Sequence, residues 1–245
     1  QIHPDDDYAL ENENEFGKNE MWYVVDCEPG AYLYCGLKQD SSKEEIRERI
    51  ENNTITEILN KIEVHKGDCV MVKAGTIHAI GAGILICENS NCTYRMYDYD
   101  RRDKFGNRRE LHIDKAIDVV DVKKYKPFVS GNSDVPEGAE LLVSCKYFEC
   151  YKYVLGKSMD VDHNSDKNIC NNSGNGEIIA ELVAEKVNIS VDSMSFRSII
   201  VIEGCGKITV GENEMDYRAG DSFFVTAGEK VVSVEGTGVI IVTKV

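Results

Sequence analysis

Gly67-Asp68-Cys69-Val70-Met71-Val72-Lys73-Ala74-Gly75 in the first half of the chain returns in the second as Gly220-Asp221-Ser222-Phe223-Phe224-Val225-Thr226-Ala227-Gly228. The Gly-Asp pair, the Val and the Ala-Gly pair match at a constant offset of 153 residues, from 67 to 220 and from 75 to 228. Gly-Asp opens a strand from a tight turn, and Ala-Gly after it permits a second turn with positive φ. Two copies of one turn-strand-turn unit predict two β-barrel domains of the same kind. The copies part three residues beyond the last Gly, where the first has His78 and the second Val231. Any chemistry of His78 therefore belongs to the first domain alone.

Outward from the repeat, short Val/Ile/Tyr-rich runs bounded by turn residues predict an all-β chain. They include Trp22 to Asp26, Ala31 to Cys35, Cys69 to Val72, Ile84 to Glu88 and Thr93 to Tyr99. The exception is about 41–62. Ser41 with Glu44 and Ser42 with Glu45 offer capping boxes, and Ile46, Ile50, Ile58, Leu59 and Ile62 recur near helical spacing. One or two helices are expected there, broken at Asn52-Asn53. The stretch from Asp121 to Glu140, with Pro127, Gly131, Pro136 and Gly138, reads as a connection. The expected division is 1–125, a linker over 126–140, and 141–245. Within the second domain the polar run from Gly156 to Glu177 reads as a mobile loop.

With 28 Lys plus Arg against 43 Asp plus Glu, the formal charge is −15, which argues against a nucleic-acid or anionic-membrane partner. No apolar run approaches the length of a membrane span, and Gln1-Ile2-His3-Pro4-Asp5-Asp6-Asp7 resembles no secretory leader, so a cytoplasmic protein is expected. The nine cysteines are odd in number, form no Cys-x-x-Cys pair and lie mostly in strand-like runs, so they read as reduced thiols. The chain does not begin with Met and opens on residues that read as the middle of a strand. It is expected to lack some N-terminal strands.

The candidate metal ligands are Gln1 and His3, which alternate on one strand face, with Glu20 and with His78 on the strand of the repeat. Two imidazoles and a carboxylate make a divalent site typical of zinc enzymes, with an open position for substrate, and the same set also suits a non-haem iron triad. His65, His112 and His163 sit in turns or polar stretches and read as surface residues.

Four phrases in order carry a family resemblance: Gln1-Ile2-His3-Pro4-Asp5, Gly17-Lys18-Asn19-Glu20-Met21-Trp22-Tyr23, Ala74-Gly75-Thr76-Ile77-His78-Ala79-Ile80-Gly81, and Thr93-Tyr94-Arg95-Met96-Tyr97-Asp98-Tyr99-Asp100-Arg101. Together they resemble the type I mannose-6-phosphate isomerases, in the short form of Gram-positive bacteria. The likeness is strongest from Gln1 to about Val122. It implies two cupin-like (jelly-roll) β-barrel domains and a zinc-dependent isomerase of mannose 6-phosphate and fructose 6-phosphate, with one zinc per chain. By the same resemblance His3, Glu20 and His78 bind zinc, with Gln1 a further ligand in some members. Arg95 takes the place of the active-site arginine, and Lys18 and Glu88 are the proton-transfer candidates. Lys73 stands where the family usually has Pro, and the chain is expected to lack the segment that precedes Gln-x-His in the family.

Such a site suits an enediolate, whose charge needs a fixed electrophile and a permanent cation such as Arg95. Arg101, in the basic run of Arg101, Arg102, Lys104, Arg108 and Arg109, is the choice for the substrate phosphate, although the run also reads as a solvated hairpin turning at Phe105-Gly106-Asn107. Trp22, Tyr23, Tyr94, Tyr97 and Tyr99 read as packing. The expected partner is a small sugar phosphate, with the chain a monomer or weak homodimer. The rivals are an iron oxygenase, a cupin glucose-6-phosphate isomerase, or a non-catalytic sugar-phosphate binder.

Overall fold

The computed structural model describes residues 1–92, 97, 103–107, 111–131, 133–156 and 183–245. It is mostly β and divides into two units, Gln1–Phe128 and Val129–Val245. Among the described residues no helix is long and apolar enough to cross a membrane.

In the first unit the described order is α1 (Asp6–Glu13), β1 (Glu20–Cys27), β2 (Tyr32–Leu37), α2 (Lys43–Glu51), a 3₁₀ turn (Ile55–Glu57), β3 (Leu59–Glu63), β4 (Cys69–Val72), β5 (His78–Ile80), β6 (Ile84–Ser90) and α3 (Ile113–Val119). The strands form two antiparallel sheets, ordered β4-β1-β6 and β3-β2-β5. Strand β1 is central, and its first five residues are buried, as a strand covered on both faces requires.

Helix α2 starts at the expected box: Ser42 Oγ accepts from the Glu45 N–H at 3.2 Å, and Glu45 pairs with Arg49 one turn on. Asn52 caps it and Asn53 turns left-handed at φ 56°. The expected helical run to Ile62 is corrected, because Leu59–Glu63 is β3, paired along β2 with Ile62 opposite Leu33. Three apolar residues over five positions fit either period, and the free edge of β2 decides. Helices α1 and α3 were not expected. The first has a local signal, since the Asp5 side chain accepts from the Tyr8 N–H at 2.9 Å and Asp6 and Asp7 fill the positive first turn. Ile46, Ile55, Leu59, Ala116 and Ile117 pack with Leu37 and Tyr97 in this unit's apolar cluster.

The second unit is one sheet built from β7 (Ala139–Ser144), β8 (Glu149–Leu155), β9 (Val183–Ala184), β10 (Lys186–Val191), β11 (Arg197–Val210), β12 (Asn213–Arg218), β13 (Ser222–Val225) and β14 (Lys230–Lys244). Its path is β12-β11-β14-β8-β7, with β10 also on β14, β13 on β11 and β9 parallel to β8. Tyr151, Tyr153, Ile189, Ile199, Val201, Val232, Val234 and Ile240 are among its core residues. Beyond Gly156, the polar stretch expected to be a loop lies outside the described residues up to 182. The eight described cysteines are free thiols, four of them buried.

Candidate metal centre

Glu20 is the first residue of β1, where pairing to Val72 on β4 and Ser90 on β6 holds its backbone on both sides. Its side chain is fully buried. Oε2 meets Lys18 Nζ at 2.8 Å, and Oε1 faces His78 Nε2 at 3.0 Å and His3 Nε2 at 3.4 Å. Among the described residues this trio is the only group of three or more His, Cys, Asp or Glu able to hold a metal ion, all donor atoms lying within 4.8 Å of one another.

The strand assignments around two of these residues are corrected. Gln1 to His3 is not a strand; only Ile2 makes a bridge, to Tyr97. The segment is fixed instead by the Gly75 N–H donating to the His3 carbonyl at 2.8 Å, the His78 N–H to Gln1 at 3.0 Å and the Lys18 N–H to Pro4 at 3.0 Å. His78 is not on the strand of the repeat, β4, but opens β5 beyond the Ala74-Gly75 turn, opposite Cys35. That turn is tight, with Gly75 at φ 80° and a Cβ there meeting the Val119 carbonyl at 2.9 Å.

The His78 ring has a defined tautomer. Nδ1 lies 2.8 Å from the Thr76 carbonyl, which can only accept, so Nδ1 carries the proton and Nε2 presents its lone pair to Glu20. A carboxylate oxygen and an imidazole lone pair at 3.0 Å need a positive species between them. Burial is the main influence on His78 and pulls it down to about 4, which disfavours a second proton near neutrality. Burial opposes ionisation of Glu20, and positive charge at the two facing imidazoles, a proton or a metal ion, is what holds the carboxyl well below its ordinary range. Donors about 2.0–2.1 Å from one tetrahedral ion lie roughly 3.3 Å apart, close to the contacts of Glu20 Oε1. The residues therefore fit a divalent metal.

Lys18 is buried and bridges Glu20 and Glu88, its Nζ 2.8 Å from Glu88 Oε1. Burial works against the ammonium, yet the two carboxylates prevail and raise its pKa. Glu88, directly opposite Trp22 on β6, is raised chiefly by burial and then by Glu20, against the opposing pull of Lys18. Trp22 is fully buried and sets its ring edge against His78, centroids 5.3 Å apart. Gln1 has its side-chain Oε1 buried, and its main-chain nitrogen donates to the His78 carbonyl at 2.9 Å.

The expected Arg95 and Arg101 lie outside the described residues, as do Tyr94, Tyr99 and His163. The turn between the basic arms is described: Asp103 Oδ1 accepts from the Phe105 and Asn107 N–H groups, with Gly106 at φ 82°. His65 is exposed, as expected. His112 departs from the expected surface role, for it is half-buried with its ring 5.9 Å from Tyr97. Sequence reasoning missed Asn19 and Asn91, whose amides tie the Lys18 loop to its neighbours. Only Asn19's place between Lys18 and Glu20 offered a signal.

A family profile for the cupin domain of mannose-6-phosphate isomerase matches residues 181–245. The mannose-6-phosphate isomerase ManA of Bacillus subtilis is 36% identical over 99% of this chain and 70% of its own length. The mannose-6-phosphate isomerase of Streptococcus mutans is 35% identical over 90% of this chain and 62% of its own length. The crystal structure of a mannose 6-phosphate isomerase from B. subtilis covers 100% of this chain and 70% of its own, at a TM-score of 0.75 and 30% identity. A structure from Archaeoglobus fulgidus, at 19% identity and a TM-score of 0.68, shares the fold. With 36% identity to the B. subtilis isomerase over 99% of its own residues and 70% of that protein, the chain belongs to the mannose-6-phosphate isomerase family.

Proposed function

We propose that this chain carries a zinc-dependent isomerase site that interconverts mannose 6-phosphate and fructose 6-phosphate, within two cupin-like jelly-roll barrels of which only the first binds metal. The observation that carries the proposal is Glu20 Oε1 facing two imidazole Nε2 atoms, with the Lys18–Glu88 pair on the other side of the same carboxylate. His3, Glu20 and His78 would hold the ion, with Gln1 as a fourth donor. When bound, zinc supplies a Lewis acid that polarises the sugar carbonyl and its neighbouring hydroxyl.

The remaining work falls to side chains. Moving a proton between C1 and C2 needs a group that accepts and returns it, and Glu88 and Lys18, in hydrogen-bond contact, form such a pair. Glu88 is the proposed base: its side chain is 36% exposed and its proton affinity is raised, whereas Lys18 is clamped as an ammonium between two carboxylates. Lys18 then fixes Glu88 and the unliganded oxygen of Glu20. Arg95 is proposed to stabilise the enediolate, and Arg101 to bind the phosphate.

The test is a coupled isomerase assay on mannose 6-phosphate with chelator and zinc add-back, on this chain and on a chain with N-terminal sequence of its relatives joined to it. Chelator-sensitive turnover restored by zinc is expected, and Arg95→Ala should keep metal while losing turnover by about 10²-fold or more. Stoichiometric zinc without turnover or C2 proton exchange in both proteins would overturn the isomerase in favour of a sugar-phosphate binder.

A further inference from the structure

Lys18 must sit between two carboxylates to within a fraction of an ångström, yet it precedes β1 and, among the described residues, has no ladder bond to hold it there. Glu20 is different, being paired on both sides by β4 and β6. What holds the Gly17-Lys18-Asn19 backbone is a clasp. Asn91, one residue past β6, accepts from the Asn19 N–H through Oδ1 at 2.7 Å and donates from Nδ2 to the Gly17 carbonyl at 3.0 Å. Its own N–H donates to the Asn19 carbonyl at 3.3 Å. One carboxamide thus imitates a peptide and brackets Lys18 from both sides.

The opposite side of the loop is closed by backbone. The Lys18 N–H donates to Pro4, and Gly17 lies so close to Asp5 that a Cβ there would stand 2.2 Å from its carbonyl carbon. Asn19 extends the clasp, its Oδ1 accepting from the Ala74 N–H at 3.0 Å in the turn that leads to His78. The loop is therefore held by three segments: the one that carries His3, the end of the strand that carries Glu88, and the turn before His78.

We infer that Asn91 is a positioning residue for the isomerase reaction, setting Lys18 against Glu88 without touching metal or substrate. The inference rests on the proposed function for its kinetic consequence, and on the clasp itself for its structural one. Because Glu20 is secured by the sheet, loss of the clasp separates two properties that a general loss of structure would lower together.

The experiment compares the parent chain with Asn91→Ala and Asn91→Asp. Zinc affinity and melting are measured, along with kcat and KM on mannose 6-phosphate and the rate at which each lysine is acylated, read by mass spectrometry. In Asn91→Ala, kcat should fall about 10²-fold with KM nearly constant, as misplacement by about 1 Å predicts. Zinc affinity should fall by no more than about tenfold, the low end for loss of a contact to a metal ligand, and so by much less than kcat. Acylation of Lys18 should quicken at least about tenfold while Lys61 and Lys152 do not change, since an unclasped ammonium leaves its buried pair. Asn91→Asp keeps the acceptor but sets an anion against the Gly17 carbonyl, and should fall between the two.

Unchanged Lys18 labelling in Asn91→Ala would overturn the inference, as would zinc affinity, melting and kcat falling in parallel. Inactivity of the chain both by itself and with the N-terminal sequence of its relatives joined to it, with Lys18 labelling that still responds to Asn91, would leave the clasp standing and defeat the isomerase proposal alone.

Discussion

The two copies of the repeat agree down to single hydrogen bonds and then part at the residues that matter. In the first unit Gly67 turns at φ 93° and Asp68 Oδ2 accepts from the His65 N–H at 2.7 Å. In the second, Gly220 turns at φ 90° and Asp221 Oδ2 accepts from the Arg218 N–H at 2.9 Å. Val24 exchanges the same pair of backbone bonds with Gly67 and Asp68 as Val201 does with Gly220 and Asp221. The strand opposite each copy is thereby in register, and Glu20 opposite Val72 corresponds to Arg197 opposite Val225. Where the first unit buries a carboxylate, the second buries a guanidinium. The second has no imidazole at Val231, and its cation is satisfied by Asp192 at 3.1 Å and by the carbonyls of Ser195 and Phe196. One scaffold thus accepts either sign of charge, provided a partner is supplied; in the first unit the donor set calls for a metal.

The comparison breaks most completely if the first unit is given the second unit's residue. His78→Val should weaken zinc binding by at least about 100-fold, and Glu20→Gln should do the same while keeping the fold, because a neutral amide is a poor ligand. Metal content after dialysis checks both. Stoichiometric zinc in either variant would mean that the trio is not the site.

Acid should act on the second unit through a carboxylate that binds no metal. Burial opposes the ionisation of Glu149, but Lys244, Ser133 and Tyr151 outweigh it and bring it down to about 2. A depressed acid contributes stability that is full above its unfolded value near 4.5 and is lost as the pH falls toward 2. Solvent screening of so shallow a site cuts the loss to about 1–2 kcal/mol, below the full worth of the shift. Glu149 ties β8 to Lys244 at the end of β14, so hydrogen exchange of those strands between pH 5 and 2.5 should report it. Glu149→Gln should flatten the profile; an unchanged acid limb would put the sensitivity elsewhere.

An effect of similar size is expected at Arg197. Arg197→Met takes the guanidinium donor from the Ser195 carbonyl, while the Phe196 carbonyl keeps the Ser195 hydroxyl and Asp192 keeps the N–H groups of Met194 and Ser195. The cost should be about 1–3 kcal/mol in the second unit. Denaturant melts measure it, and zinc affinity should not move. A change in zinc affinity would show that the second unit contributes to the metal site.

Much of this was legible in sequence, for reasons that differ by residue. The repeat was readable because Gly-Asp and Ala-Gly are demanded locally, by positive φ and by a side-chain bond within the turn. Helix α2 was readable at its start, where Ser42 and Glu45 are neighbours, and not at its end, where the edge of β2 recruits Leu59 to Glu63. His3, Glu20 and His78 were found as residue types that suit a metal, but their convergence depends on long-range pairing: Glu20 on β4 and β6, His3 on Gly75, His78 on β2. The arginine opposite Val225 carries no signal in the sequence, because its correspondence to Glu20 exists only in the register of two separate sheets. Asn91 was invisible for a similar reason, since a carboxamide that bonds two peptide groups on another segment leaves no periodic trace.

The finest test of the comparison lies in the turns the copies share. Gly67 and Gly220 have nearly equal φ, and an added Cβ would meet nothing nearer than the Tyr23 hydroxyl at 3.9 Å in the first and nothing within 4 Å in the second. An alanine at either position is therefore penalised by backbone conformation alone, at about 1–2 kcal/mol, partly offset by a stiffer unfolded chain. Gly67→Ala and Gly220→Ala should destabilise their own units by amounts matching within about 0.5 kcal/mol, the spread of independent sites. Hydrogen exchange on β4 and β13 reads the two separately. A markedly larger loss at Gly67 would mean that the first turn bears a load the second does not, transmitted along β4 to the strand that presents Glu20.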